Sequence, residues 1–274
     1  GVVTPLSSSA DELPGRVRVF FQPAEEGTMG GGASMVARPL VGELDAVIPI
    51  HIGLGVPAGT VASAVRYMAT TKFRVRFKGR GAHVVAEPQA GANALLAAAA
   101  AALQLQGLPS HSDGWYSLNV GTLRAGDEQG IIPPWAVMEL GIWAERQSIN
   151  DFLVDRVRAV VEACAAAQGC SADIEIFGKA PSAIPDAKLA DVIDGVAGEL
   201  ALAPQPPMLC KAGEDATEFV NAVQAHGGAG TMIIIGSELA AGHHQPRFDF
   251  DERTLGDGAA LLAQTPVRLI SQSP

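Results

Sequence analysis

Two adjacent carboxylates, Glu25 and Glu26, end the stretch VRVFFQPAEEG and stand just before a run of glycines at 27, 30, 31 and 32. Later in the chain His51 closes the apolar run AVIPI, and His243-His244 lie within AAGHHQPRFDFDE. Carboxylate and neutral imidazole are the usual ligands of divalent transition metals. A glutamate left out of the ligand set is the usual base that takes a proton from the attacking water. Metal-dependent hydrolysis is therefore one chemistry these residues support. Spacing does not demand it, because the candidates are far apart in sequence and no short H-E-x-x-H motif occurs. A Glu-Glu pair also reads as solvated loop charge, and a histidine after a strand as a structural residue.

The elements that must position these groups follow from periodicity. Val17–Phe21 alternates with basic residues and reads as a strand feeding a core, stopped by Gln22-Pro23 because proline brings no backbone donor. A glycine-rich turn, a helix near Ala33–Leu40 and a second strand, Ala46–Ile50, complete an α/β pattern. Both strand mouths then present candidate ligands, as open α/β sheets do. The pattern changes near Ala69. Strand Thr71–Lys78 has one wet face, Gly79-Arg80-Gly81 breaks it before His83, and an alanine-rich helix covers Ala92–Gln106. Strands Tyr116–Arg124 and Ala136–Trp143, an amphipathic helix Asp151–Gln168 and a strand Ala172–Phe177 follow. The order β-α-β-β-α-β is that of a ferredoxin-like α+β unit, here inserted into the first domain. From Pro185 the α/β character returns, with helices Asp186–Leu200 and Glu218–Ala225, strand Met232–Ile235 and a closing helix from Asp251. His226 reads as a capping residue. The expected division is a catalytic domain over 1–68 and 183–274, with an inserted unit over 69–182.

Composition narrows the partners. The 274 residues are 48 % hydrophobic and 18 % charged, enough for a sizeable globular core. A net charge of -10, with 19 Lys+Arg and no basic run, argues against nucleic acid and an anionic membrane. Cys164, Cys170 and Cys210 show no metal-ligand or redox spacing, which suits a reducing cytoplasmic setting. The run Ala92–Leu105 is too short and interrupted to cross a bilayer, and no secretory signal is legible. The first residues read as a helix-to-strand connection, so more chain is expected before Gly1.

QPAEEG, HIGLGVPAG around His51, GRGAH at Gly79–His83 and the H-x-P-x-F-D pattern from His244 to Asp249 resemble the metal-dependent aminoacylase/carboxypeptidase family. The similarity is to its amidohydrolase branch, which includes hydrolases of hippurate and of indoleacetyl-amino acids. Longer stretches (YMATTKF, GANALLAAA, GEDAT, ELAAGHHQPRFDFDE) narrow it to members that cleave p-aminobenzoyl-glutamate, and it extends over essentially the whole chain. The resemblance implies a metallopeptidase-like α/β/α catalytic domain with an inserted ferredoxin-like dimerisation domain. It implies amide hydrolysis of N-acyl or N-aroyl amino acids, two divalent metal ions (zinc or manganese), and a homodimer or a heteromer with a related subunit. By position, Glu25 is the general base, Glu26, His51 and His244 are metal ligands, and His83 stabilises the oxyanion in a partner subunit's site.

Three departures accompany the resemblance. The family's Cys-Gly-His-Asp type metal stretch is expected upstream of Gly1, and none of the three cysteines stands in such a context, so the site in this chain is incomplete. Gly130 stands where relatives have Asn, and Trp143 where they usually have Arg, two residues that help hold the substrate carboxylate; Arg124 and Arg146 are candidate replacements. Glu214-Asp215 matches a family acid pair and reads as support for the site or a helix cap, and His243 as a residue that orients its loop. His111 reads as a turn residue, and Trp115, Trp135 and Trp143 as core or interface aromatics. The rival readings are a hydrolase of another N-acyl amino acid, hippurate-like, and a non-catalytic partner subunit with an incomplete metal site.

Overall fold

The structure, a computed structural model, describes residues 2–8, 15–38 and 41–272. Its catalytic-side sheet grows from two apolar runs that pair in parallel. Strands β1 (Ala46–Val47) and β2 (Ile50–Ile52) form one run, interrupted at Pro49, which has no N–H for the ladder. Their partners β10 (Ala229–Gly230) and β11 (Met232–Ile235) are likewise split at Thr231, and the register sets His51 opposite Ile234. Strand β3 (Thr60–Tyr67) runs antiparallel on the other side of β11, and its far edge carries β8 (Ala203–Pro204) and β9 (Met208–Cys210) in parallel. Helices α5 (Ala187–Glu199) and α7 (Arg253–Gln272) cover one face, where Leu189, Ile193 and Leu261 meet Val61, Ile233 and Ile235. Helix α6 (Thr217–Ala225) covers the other, where Val220 meets Val65, Tyr67, Met232 and Ile234. This is an α/β/α sandwich. The short helices α1 (Val3–Ser8) and α2 (Gly31–Val36) flank it, against α7 and α6.

A second sheet is built from β4 (Ala69–Lys78), β5 (Tyr116–Ala125), β6 (Trp135–Ala144) and β7 (Ser171–Ala180), in the antiparallel order β5-β6-β4-β7. Helices α3 (Ala94–Gln106) and α4 (Gln147–Ala167) cover one face of it. Phe73, Val75 and Phe77 of β4, with Met138, Leu140 and Ile142 of β6, point at those helices and are at most 4 % exposed. Ala94, Ala97, Ala98 and Ala101 recur at i, i+3, i+4 and i+7, so α3 lies close on the sheet, and Asn93 caps it by accepting from the Leu96 N–H at 3.0 Å. The alternate residues of β4 and β6 face away from the helices, and the two sheets join directly through Met68, whose N–H donates to Ala212 O at 3.0 Å.

Three expectations need correction. Val17–Phe21 is extended but forms no strand among the described residues. Only Phe20 turns inward, onto Phe219 at 5.4 Å, while Phe21 is 83 % exposed. Alternation assigns faces; a strand also needs a ladder partner, and among the described residues no strand pairs with this segment. The helix near Ala33–Leu40 is the single turn and a half of α2, capped at Ala37; Leu40 lies outside the described residues. The central strand β3 was not anticipated, because VASAVRY is buried on both faces and shows no alternation.

Candidate active site

The C-terminal ends of β2 and β11 and the loop after Pro23 converge. His51 leaves β2 at Gly53, whose φ of +73° suits glycine. A Cβ there would press on Leu239 and come within 3.3 Å of His243 Nε2, so the glycine lets the two histidine loops touch. The Leu54 N–H donates to His243 Nε2 at 3.4 Å, and the His51 and His243 rings lie 5.2 Å apart. His243 also leans on Phe248 at 4.8 Å and so supports the loop. His244 has a φ of +63°, a left-handed conformation that turns its imidazole away from that packing. Its Nδ1 lies 3.7 Å from Glu26 Oε2, and both side chains are mostly exposed.

Glu25 points the other way, into the protein. It lies with Glu214 and Asp215, one carboxylate oxygen from each falling within 4.8 Å of the others. Asp215 is completely buried and is committed to the scaffold: it accepts the Gly32 N–H at 2.8 Å and the Gln22 side-chain amide. Gly31 and Gly32 permit this approach, since a Cβ on either would collide with the Pro23 or the Asp215 carbonyl oxygen. The adjacent acids of the Glu25-Glu26 pair therefore separate, one toward His244 and one toward Glu214.

Electrostatics follow from this crowding. Burial, then the charges of Glu26 and Asp215, raises the Glu25 carboxyl above its usual range, against the lowering effect of Lys72 and His244. Burial and then Glu25 push Glu214 up to about 7. Burial lowers His51, which favours the neutral, metal-binding form. Neutral imidazole beside carboxylates, and acids packed together at a strand mouth, fit a divalent cation in both donor type and charge. A cavity of about 1040 Å³ opens beside the cluster, between residues 15–22 and 43–50, with Glu25 and Glu214 at its edge.

The expected ligands Glu26 and His244 are thus brought together, whereas His51 packs on His243 and does not come within 4.8 Å of both of them in one ligand group among the described residues. His83 is not brought to them. It is exposed at a turn of the second sheet's unit, where its Nδ1 accepts from the Val85 and Ala86 N–H groups at 3.2 Å, and no contact links it to the cluster among the described residues. Arg124 stands on the helix-free face of its sheet opposite Val137, and Arg146 occupies the position before α4 without a side-chain capping bond. Two contributors were under-read in the sequence. Glu214, expected as support or a cap, accepts the Ala216 N–H at 3.3 Å but also faces Glu25. Lys72, read only as part of a wet strand face, donates to Gly27 O at 3.2 Å and so reaches the acidic loop.

Comparison with known proteins places the chain in a family. The profile of peptidase family M20/M25/M40 matches residues 2–268. The chain is 39 % identical over 269 residues to indole-3-acetyl-aspartic acid hydrolase of Enterobacter agglomerans. It is 36 % identical over 269 residues to one of the subunits of p-aminobenzoyl-glutamate hydrolase of Escherichia coli K12. Each match covers 97 % of this chain and 62 % of the relative, so the chain spans less than two thirds of their length. The crystal structure of an aminobenzoyl-glutamate utilization protein from Klebsiella pneumoniae superposes with a TM-score of 0.83 at 34 % identity, covering 98 % of this chain and 65 % of that one. A dinuclear metal binding peptidase from Bacillus subtilis shares the fold, with a TM-score of 0.74 at 21 % identity over 99 % of this chain and 70 % of that one.

Proposed function

We propose that this chain, which belongs to peptidase family M20/M25/M40, forms the larger part of an amidohydrolase that cleaves aromatic acyl groups from acidic amino acids. The observation that carries the reading is the split of the acid pair: Glu26 lies 3.7 Å from His244 while Glu25 turns to Glu214 and Asp215. Both named relatives support the substrate class, one by an indoleacetyl-aspartate and one by a p-aminobenzoyl-glutamate substrate.

Glu26, His51 and His244 would hold divalent metal, zinc or manganese. When bound, it lowers the pKa of water and polarises the scissile carbonyl. Glu25 takes the proton from the attacking water and returns it to the leaving amine, which is the amino acid's nitrogen. Its raised pKa brings it closer to neutrality, where one carboxyl can serve as base and then as acid. His83 would serve the site of a second protomer, and residues 69–182 would form the dimerising unit of a homodimer or of a heteromer with a related chain.

The test uses the full-length protein and p-aminobenzoyl-glutamate, with release of p-aminobenzoate as the readout. Glu25→Gln should lower turnover by about 10²- to 10⁴-fold while bound metal stays at the wild-type level. Unchanged turnover would remove the role of Glu25. A panel of N-acyl amino acids separates this substrate class from a hippurate-like one, and absence of bound metal would favour a non-catalytic partner chain.

A further inference from the structure

The helix-free face of the second sheet presents a row of cations from β4, namely Lys72, Arg74, Arg76 and Lys78, of which Lys72 lies at the end next to the Glu25-Gly27 loop. The two arginines are matched. Arg74 pairs with Glu139 at 2.8 Å and with Glu175 at 3.6 Å, and Arg76 with Glu175 at 2.8 Å and Asp173 at 3.5 Å. Lys72 has no carboxylate within ion-pair distance among the described residues; its bond to Gly27 O takes one of the three ammonium donors. Its neighbours on both sides are glycines, since Lys72 is in register with Gly141 of β6 and Gly178 of β7. A Cβ on Gly178 would come within 3.2 Å of the Lys72 Cδ and 3.0 Å of Thr28 O, so the glycine opens the lane along which the lysine stem reaches the Glu25-Gly27 loop.

That placement has an electrostatic consequence. Glu25 and Glu26 stand at the mouth of the site, in front of the buried Glu214 and Asp215, and an acidic substrate that approaches them gains from a nearby cation. The charge of Lys72 acts on Glu25, in line with its reach to the Gly27 carbonyl. Arg124 cannot replace it: it pairs with Val137, four residues along β6 from Gly141, which places it about 13 Å further down the sheet.

We propose that Lys72 is a carboxylate-binding residue of the substrate site, where its two remaining ammonium donors hold the carboxylate of the acidic amino acid next to the Glu25 loop. This assignment rests on the function proposed above and names the group in this chain that selects the amino-acid half of the substrate.

The experiment compares kcat/KM of the full-length enzyme for p-aminobenzoyl-glutamate and for its α- and γ-carboxamides, each of which removes one carboxylate. Wild type should prefer the diacid over one of the carboxamides by about 10- to 100-fold, the scale of one charge-assisted hydrogen bond. In Lys72→Met that ratio should fall toward one, mainly through KM, and Lys72→Arg should keep it. Equilibrium binding of the same compounds to Glu25→Gln, with and without Lys72→Met, gives the same ratio should Lys72→Met be inactive. A ratio unchanged in Lys72→Met overturns the role of Lys72 and leaves the proposed function standing. A wild-type enzyme that hydrolyses none of the three compounds overturns both.

Discussion

At the scale of single residues, Glu25 and Glu214 show how burial and like charge act on one another. Glu214 is 8 % exposed and its carboxyl is pushed up to about 7 from the ordinary 4.5, first by burial and then by Glu25. Between those two pH values the unfolded chain has lost the proton and the folded protein keeps it. The folded state therefore binds more protons, and stability falls as pH rises through the window. Glu25, also raised, acts in the same direction. The predicted cost on passing from pH 5 to pH 8 is on the order of 3 kcal/mol in metal-free protein. Glu214→Gln removes the Glu214 part of this slope and should be more stable than wild type at pH 8. Urea unfolding at pH 5 and pH 8, with a chelator present, decides the matter; equal slopes for wild type and variant would show that Glu214 is not the source.

At the scale of elements, the loop before α2 and the turn before α6 are one assembly. The Gly32 N–H donates to Asp215 Oδ2 at 2.8 Å, and the Asp215 backbone fills the space a side chain at 32 would need. Gly32→Ala must pry these elements apart, at a cost of about 1–3 kcal/mol, the range for overpacking. A lowered Tm together with lost turnover in the full-length enzyme would confirm the link, and an unchanged Tm would refute it. The sequence showed the strands of the second sheet because β4 alternates cleanly between core and wet residues. It hid β3, buried on both faces, and it misassigned Val17–Phe21, since alternation carries no information about a ladder partner. The site was legible in the same uneven way. Glu25, Glu26, His51 and His244 stand in motifs, whereas Lys72 matters only through its register with Gly141 and Gly178, which pairing creates.

At the scale of the whole molecule, the acids and imidazoles come from segments that meet only when the sandwich is folded, so a cation bound there is coupled to global stability. The segments are the loop after Pro23, the end of β2, the turn before α6 and the loop after β11. Unfolding scatters these donors, and a ligand that binds only the folded state stabilises it by RT ln(1 + [L]/Kd), about 2.7 kcal/mol at a hundred times Kd. For a chain of this size that corresponds to a rise in Tm of about 5–10 °C. Protons compete for the imidazole nitrogens, because an imidazole binds metal only when neutral. Added zinc or manganese should therefore raise Tm more at pH 8 than at pH 6, the reverse of the pH trend of the metal-free protein, and His244→Ala should shrink the rise. Thermal scans at both pH values with and without the ion supply the comparison. A chain whose Tm ignores the ion at pH 8 does not hold metal through these residues alone.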